Sequence, residues 1–298
     1  MDPRRVLKPL GQRVGPRVRR AVDALYYRTA FALAILRNRR VGHAFVGPDR
    51  VTHHYTIWKT CRLLGLRMRP AADASWDVAV AWRDETRCAP HPVPGALNAL
   101  CVDIGKDLVQ RRFAEAFGYA LAVDPRAHEG AYVRKSVRNY AHDGVVLDTP
   151  APRQPGFVYE RLIDTVDPDG YATDLRTPIV GDSIPLVWVL KRPAGDRFGT
   201  DSPYARRVAT SEAFTPDEIG KLLAFARSLG LAYGELDVLR DRTDGRIYVV
   251  DANKTPVGPP PALPAHERYR SMHRIAGAFA REFLRTPVPS PQVQSVSA

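Results

Sequence analysis

The stretch 231–256, LAYGELDVLRDRTDGRIYVVDANKTP, constrains this chain more than any other, because it specifies a hairpin and a cluster of carboxylates at once. Asp244-Gly245 marks the turn between two runs rich in Tyr, Val, Leu and Ile. A three-residue loop, Thr243-Asp244-Gly245, with the glycine left-handed makes paired residue numbers sum to 488, so Asp237 faces Asp251 and Glu235 faces Asn253. Side chains alternate along a strand, so all four would share one face. Two carboxylates directly across a ladder repel each other, and a cation resolves that repulsion. Two carboxylates and an amide oxygen are hard ligands that suit Mg²⁺, with Mn²⁺ as the alternative. Two other readings stay open: an exposed acidic sheet face, and a two-residue turn that would move Asp251 to the opposite face.

The rest of the chain reads as mixed α and β. Residues 17–37 have helical spacing of apolar residues, and a short βαβ layer is expected from strands at 41–46 and 76–82 around a helix at 53–64. A helix at 103–117, opened by Asp103 as its cap, precedes short strands at 119–123, 131–135 and 144–147. Strands at 157–163, 173–180 and 184–191 are expected to pair antiparallel in that order, followed by a polar stretch at 192–213. Thr215-Pro216-Asp217-Glu218 spells a helix start, with Thr as cap, Pro in the first turn and Glu three residues on. A proline-rich loop at 255–264 and a closing helix at 265–284 follow the hairpin, and the tail 286–298 is expected to be disordered.

Charge narrows the function classes. The net charge is +12, but residues 1–40 hold eleven Lys or Arg against two Asp, so nine of those charges sit in the first segment. A nearly neutral body argues against a nucleic-acid surface. The helix at 17–37 either packs on the body with its arginines in water or lies on an anionic membrane surface. Cys61, Cys88 and Cys101 give neither a disulfide framework nor a zinc site, which fits a reducing cytoplasm, and neither secretion nor a membrane span is expected. GxxxxGK[ST], GxGxxG and HExxH are all absent.

The hairpin, with its Asp, its acidic-x-Asn and its following Pro256, resembles the metal-binding hairpin of the ATP-grasp superfamily. The resemblance runs from about residue 103 to 256 and implies an ATP-grasp-like α+β fold. In that fold a small N-terminal βαβ layer precedes two α+β subdomains that clasp a nucleotide. The implied divisions are a basic leader at 1–40, a reduced layer at 41–102, a lid-like subdomain at 103–163, a C-terminal subdomain at 164–285 and the tail. The resemblance carries ATP and magnesium with it. Lys106 in DIGKDL and Lys135 in YVRKS match the phosphate-binding lysines, and residues 136–144 match the flexible lid. Glu160, Arg161 and Leu162 in VYERLID match the adenine hinge, and Asp174 in TDLR matches the ribose-binding acid. Arg176, Lys191 and Arg192 would meet the transferred phosphate or the substrate, and Asp237, Asp251 and Asn253 would bind the metal. One departure is Glu235, where D-alanine:D-alanine ligases of the superfamily carry arginine; Arg176, Arg192 or Lys254 would then meet the acyl phosphate.

The implied activity is an ADP-forming ligase that joins a small-molecule or peptide carboxylate to an amine or another nucleophile through an acyl phosphate. Two alternatives stand beside it. One is a small-molecule kinase on the same fold, and the other is a non-catalytic ATP-binding scaffold docked at a membrane or protein through residues 1–40.

Overall fold

A computed structural model of the chain describes residues 15–37, 42–69, 75–199 and 202–284. Most of the basic leader's charge, at 1–14 and 38–40, and the tail at 286–298 lie outside the described residues. Helix α1 (Pro16–Arg37) packs on the body through its aromatic residues. Tyr27 is buried, Tyr26 stacks flat on Tyr269 at 3.9 Å between ring centroids, and Arg62 lies over Phe31.

Strand β1 (Gly42–Pro48), helix α2 (Thr56–Leu64), β2 (Leu66–Arg69) and β3 (Val78–Trp82) form the expected small layer, a parallel sheet of order β2-β1-β3. The sequence gives no sign of β2, whose four residues include two arginines. It exists because Gly65, at φ 69°, ends α2 in the left-handed conformation and turns the chain back along β1.

Helix α3 (Lys106–Phe117) is followed by β4 (Tyr132–Ser136), β5 (Val145–Leu147) and β6 (Phe157–Arg161), an antiparallel sheet of order β5-β4-β6. Two expectations fail here. Gly105, not Asp103, caps α3; Asp103 instead accepts the Gly105 N–H at 2.7 Å and the Arg87 Nε at 3.1 Å. The run 119–123 makes a single bridge, Ala122 to Glu160, rather than a strand.

The main sheet contains β7 (Tyr171–Val180), β8 (Val187–Pro193) and β9 (Tyr204–Val208), then, after helices α4 (Thr210–Ala213) and α5 (Pro216–Ser228), β10 (Tyr233–Arg240) and β11 (Ile247–Asn253). Its order is β11-β10-β7-β8-β9, antiparallel throughout. Helix α6 (Ala265–Phe283) closes the described chain. Strand β6 was expected beside β7 but pairs with β4, so the link after Arg161 joins two separate sheets. Strand β9 hides in the polar stretch because it is an edge strand, where Arg206 stays in water while Arg207, on the other face, pairs with Glu267 of the closing helix at 2.7 Å. Helix α5 starts as its sequence dictates: Thr215 Oγ1 accepts the Glu218 N–H and Glu218 Oε2 accepts the Thr215 N–H.

Alternation assigns each face of the main sheet its cover. Leu175, Ile179, Val189, Leu236 and Val238 turn to one side and bury against Val109 and Phe113 of α3 and Leu222 and Phe225 of α5. On the other side Val180, Trp188, Leu190 and Tyr233 pack on Ile57 and Trp58 of α2 and Met272 and Phe279 of α6. Each fully buried large apolar side chain there contributes about 1.5–3 kcal/mol relative to exposure. The charged residues of the candidate site on β7, β10 and β11 lie on this second face, beside these apolar side chains. No helix among the described residues is long and apolar enough to cross a membrane.

Candidate functional site

The hairpin register is the expected one at the acid end, but it arises differently. Asp241 and Arg246 close a four-residue loop, with Asp241 N–H on Arg246 O and Gly245 N–H on Asp241 O, and Gly245 at φ 74°. The ladder from Arg240↔Ile247 to Val238↔Val249 is therefore one step out of the expected register. A bulge at Val250 restores it, so that Asp237 faces Asp251 and Glu235 faces Asn253. Without the bulge the longer loop would set Asp251 beside Leu236 and turn it to the opposite face.

The bulge also connects the two sheets. Lys135 of β4 donates to Val250 O at 3.0 Å, Asn139 Nδ2 donates to Ala252 O at 2.9 Å, and Lys106 Nζ stands 3.4 Å from Asp251 Oδ2. Lys106 comes from the first turn of α3, so lysines from two different elements converge on one strand of the main sheet.

Arg176 lies across from Asp237 in the register of β7 and β10, and its Nε stands 3.2 Å from Asp237 Oδ1 and 3.3 Å from Glu235 Oε1. Two residues along β7, Asp174 takes Arg192 Nη2 at 2.7 Å. Burial raises the Asp251 carboxyl above its usual range; Lys106 opposes that and the Asp237 charge adds to it. Asp174 is raised for the same reason, against the pull of Arg192. Glu235, 3% exposed, is pushed up to about 8 by burial, with Arg176 opposing, and its Oε2 has no hydrogen-bond partner. Arg176 in turn is held above its ordinary value, chiefly by Asp237.

Not every nominated residue joins this cluster. Lys191 and Arg192 are neighbours on β8 and so project to opposite faces; Arg192 meets Asp174, whereas Lys191 turns away to Asp167 at 2.6 Å. Glu160 is buried in an ion pair with Lys135 at 2.7 Å and accepts from Gln110 at 3.0 Å. Arg161 gives its main-chain N–H to Leu121 O and its guanidinium to the Tyr248 hydroxyl, leaving Leu162, just past β6, at the head of the link between the sheets. Asn253 Oδ1 accepts the Tyr140 hydroxyl at 2.7 Å and the Thr255 N–H at 2.8 Å.

Sequence reasoning missed two participants and the burial of a third. Tyr140, in the expected lid, adopts φ 59° and reaches the hairpin, which no motif announces. Gln110 becomes legible only once α3 is known to face β6. Glu235 was visible as a departure from the superfamily pattern, but its burial beside Arg176 was not. Lys254, named as an alternative cation for acyl phosphate, is instead buried and donates to Cys88 Sγ and Cys101 O.

Among the described residues, no three His, Cys, Asp or Glu side chains form a group that could hold a metal by themselves. The donors at the hairpin nevertheless fit a hard divalent cation. Asp237 and Asp251 are directly opposed carboxylates, and a partnerless carboxylate oxygen, Glu235 Oε2, is buried on the same face. Asn253 could join them only by giving up the Tyr140 hydroxyl.

No protein-family model matches the chain, and no curated protein matches it. Among solved structures, the ATP-grasp ligase PsnB, complexed with a phosphomimetic variant of its minimal precursor, Mg and ADP, is similar at 14% identity and TM-score 0.39, over 60% of this chain and 59% of that one. The RimK domain protein ATP-grasp from Sphaerobacter thermophilus is similar at 13% identity and TM-score 0.47, over 81% of this chain and 99% of that one. The fold is similar to that of solved ATP-grasp structures. The macrocyclase MdnC from Microcystis aeruginosa, bound with the precursor peptide MdnA, gives 14% identity and TM-score 0.46 over 82% and 99%. Likenesses this distant decide neither substrate nor reaction, which rest on the side chains above.

Proposed function

We propose that the chain is an ATP- and Mg²⁺-dependent ligase of the ATP-grasp type, joining a carboxylate to an amine with release of ADP and phosphate. The observation that carries this reading is the convergence of Lys106 and Lys135 from one side and Arg176 from the other on the Asp237–Asp251 pair. Phosphoryl transfer needs charge neutralisation and alignment more than covalent help, and this cluster is suited to both.

Five carboxyls, Glu160, Asp174, Glu235, Asp237 and Asp251, meet four cations, Lys106, Lys135, Arg176 and Arg192. The site is thus at or below neutrality on its own. Asp237 and Asp251, with Asn253 once Tyr140 withdraws, are the residues that would hold Mg²⁺, which would supply positive charge against the phosphates. Lys135 and Lys106 would exchange their present partners, Val250 O and Asp251, for phosphate oxygens. Glu160 and Gln110 would keep Lys135 aimed. Leu162 would offer main-chain groups to adenine and Asp174 would hold the ribose. Arg176 would orient the substrate carboxylate for attack on the γ-phosphorus and stabilise the resulting acyl phosphate, with Arg192 beside it. An amine then displaces phosphate to leave the amide, and residues 136–144 would exclude water during that step. In this reading 41–102 is the reduced leading layer, 103–163 the lid-bearing subdomain and 164–285 the subdomain with the metal hairpin. The cation would be Mg²⁺, with Mn²⁺ as a substitute, and the substrates small molecules or peptides.

Calorimetry of ATP binding with and without Mg²⁺ tests the site. Binding that requires Mg²⁺ and is lost in both Asp251→Ala and Lys135→Ala is expected, whereas a folded parent that binds no nucleotide would overturn the assignment. ADP release that requires both an acid and an amine would then separate a ligase from a kinase.

A further inference from the structure

The outward face of α1 is built unlike that of an ordinary surface helix. At 100° per residue, Val18, Val22, Leu25, Leu33 and Leu36 fall within about 80° of one another and run roughly 27 Å along the axis. They are 56%, 51%, 67%, 46% and 81% exposed. Ala21, Thr29 and Ala32, also exposed, fill the same stripe, so its centre carries no charge. Exposed Arg17 and Arg28 border it on one flank and exposed Arg37 on the other. The single acid of α1, Asp23, is turned to the body and paired with Arg268 at 2.6 Å. The packing face of the helix is the opposite one, where Tyr27 is buried.

We propose that this stripe seats α1 in the interface of an anionic lipid membrane, with the body of the chain facing the water. An apolar stripe bordered by arginines, and no exposed acid, fits a surface that offers acyl chains at its centre and negative headgroups at its edges. The sequence on either side of the helix adds Arg4, Arg5, Lys8 and Arg13 before it and Arg39 and Arg40 after it. A second copy of the chain is the poorer occupant. Pairing two such helices sets arginine flank against arginine flank, and the stripe is short of the roughly 20–30 residues a side that stable interfaces recruit. The inference does not depend on the ligase reading, since α1 contributes nothing to the cluster around Asp237.

Co-sedimentation of the full chain with vesicles tests it. Binding to phosphatidylcholine mixed with phosphatidylglycerol, but not to phosphatidylcholine alone, is expected, and it should weaken with salt. The double variant Leu25→Glu/Leu33→Glu should bind at least tenfold less. Arg17→Ala and Arg28→Ala, conservative for folding at exposed positions, should each bind about fivefold less. Circular dichroism and Mg²⁺-dependent ATP binding should stay as in the parent, which separates this test from the test of the nucleotide site. Binding unchanged in the double variant would place the affinity outside the stripe and overturn the proposal. So would the absence of any preference for anionic vesicles, or a dimer seen by light scattering that the double variant splits.

Discussion

One face of the main sheet is used in two opposite ways. Toward one end, Val180, Trp188 and Tyr233 are at most 2% exposed and lie under α2 and α6. Toward the other, Glu235 and Asp237 follow Tyr233 at two and four residues along β10, and Arg176 and Asp174 lie four and six residues from Val180 along β7, with Trp188 at the boundary directly across from Arg176. The first end gains from burying apolar surface, while the second desolvates carboxyls and sets them against each other, so that Asp174, Glu235 and Asp251 are all raised. Such an arrangement subtracts from stability and is characteristic of sites that await a charged ligand.

The sharpest way to break this contrast is at its apolar end. Trp188 is fully buried and its Nε1 donates to Ser271 Oγ at 3.2 Å. Trp188→Ala should cost about 3–5 kcal/mol in urea unfolding. A loss below about 1 kcal/mol would mean that α6 does not anchor this face.

The charged end should respond in the opposite direction. Glu235 has an ordinary value near 4.5 and is raised to about 8, so the folded state holds a proton that the unfolded chain releases. Its contribution is fully present below about 4.5 and is lost as pH rises toward 8, after which it is flat. Glu235→Gln removes that slope. The metal-free variant should therefore match the parent near pH 4.5 and exceed it by about 1–3 kcal/mol at pH 8, since Asp237 still pairs Arg176. Parallel stability curves for the two proteins would show that Glu235 is not under strain.

The two ends also differed in how far sequence disclosed them. Helix α5, the hairpin and the βαβ layer were legible because each rests on local chemistry: a capping box, an Asp-Gly turn, apolar periodicity. The facing of Asp237 and Asp251 was reached through a loop one residue too short, and the bulge at Val250 supplied the missing step. Bulges depend on what the partner strand and Lys135 require, which lies far away in sequence. Lys191 shows the reverse failure: motif matching took it with Arg192, although alternation alone separates neighbours on a strand. The pairing of β6 with β4, and Tyr140's reach to Asn253, depend on how two sheets meet, and nothing local encodes that.

Tyr140 offers the finest test of the charged end. Its hydroxyl donates to Asn253 Oδ1 at 2.7 Å and lies 3.1 Å from Thr255 Oγ1, which itself donates to Asp84. Asn253 is therefore satisfied by Tyr140 and the Thr255 N–H in this structure, and a cation would have to displace one hydrogen bond to use it. A net hydrogen bond is worth about 0.5–1.5 kcal/mol, so Tyr140→Phe should tighten the apparent Mg²⁺ affinity, read from ATP binding at limiting Mg²⁺, by roughly two- to tenfold. The ring would stay in place and only the competing hydroxyl would go. Tyr140→Ala removes the ring as well and should lose that gain, because the segment 136–144 then has less to hold it over β11. Equal affinities in the parent and Tyr140→Phe would mean that Asn253 takes no part in holding the cation, and would restrict the ligands at the hairpin to its carboxylates.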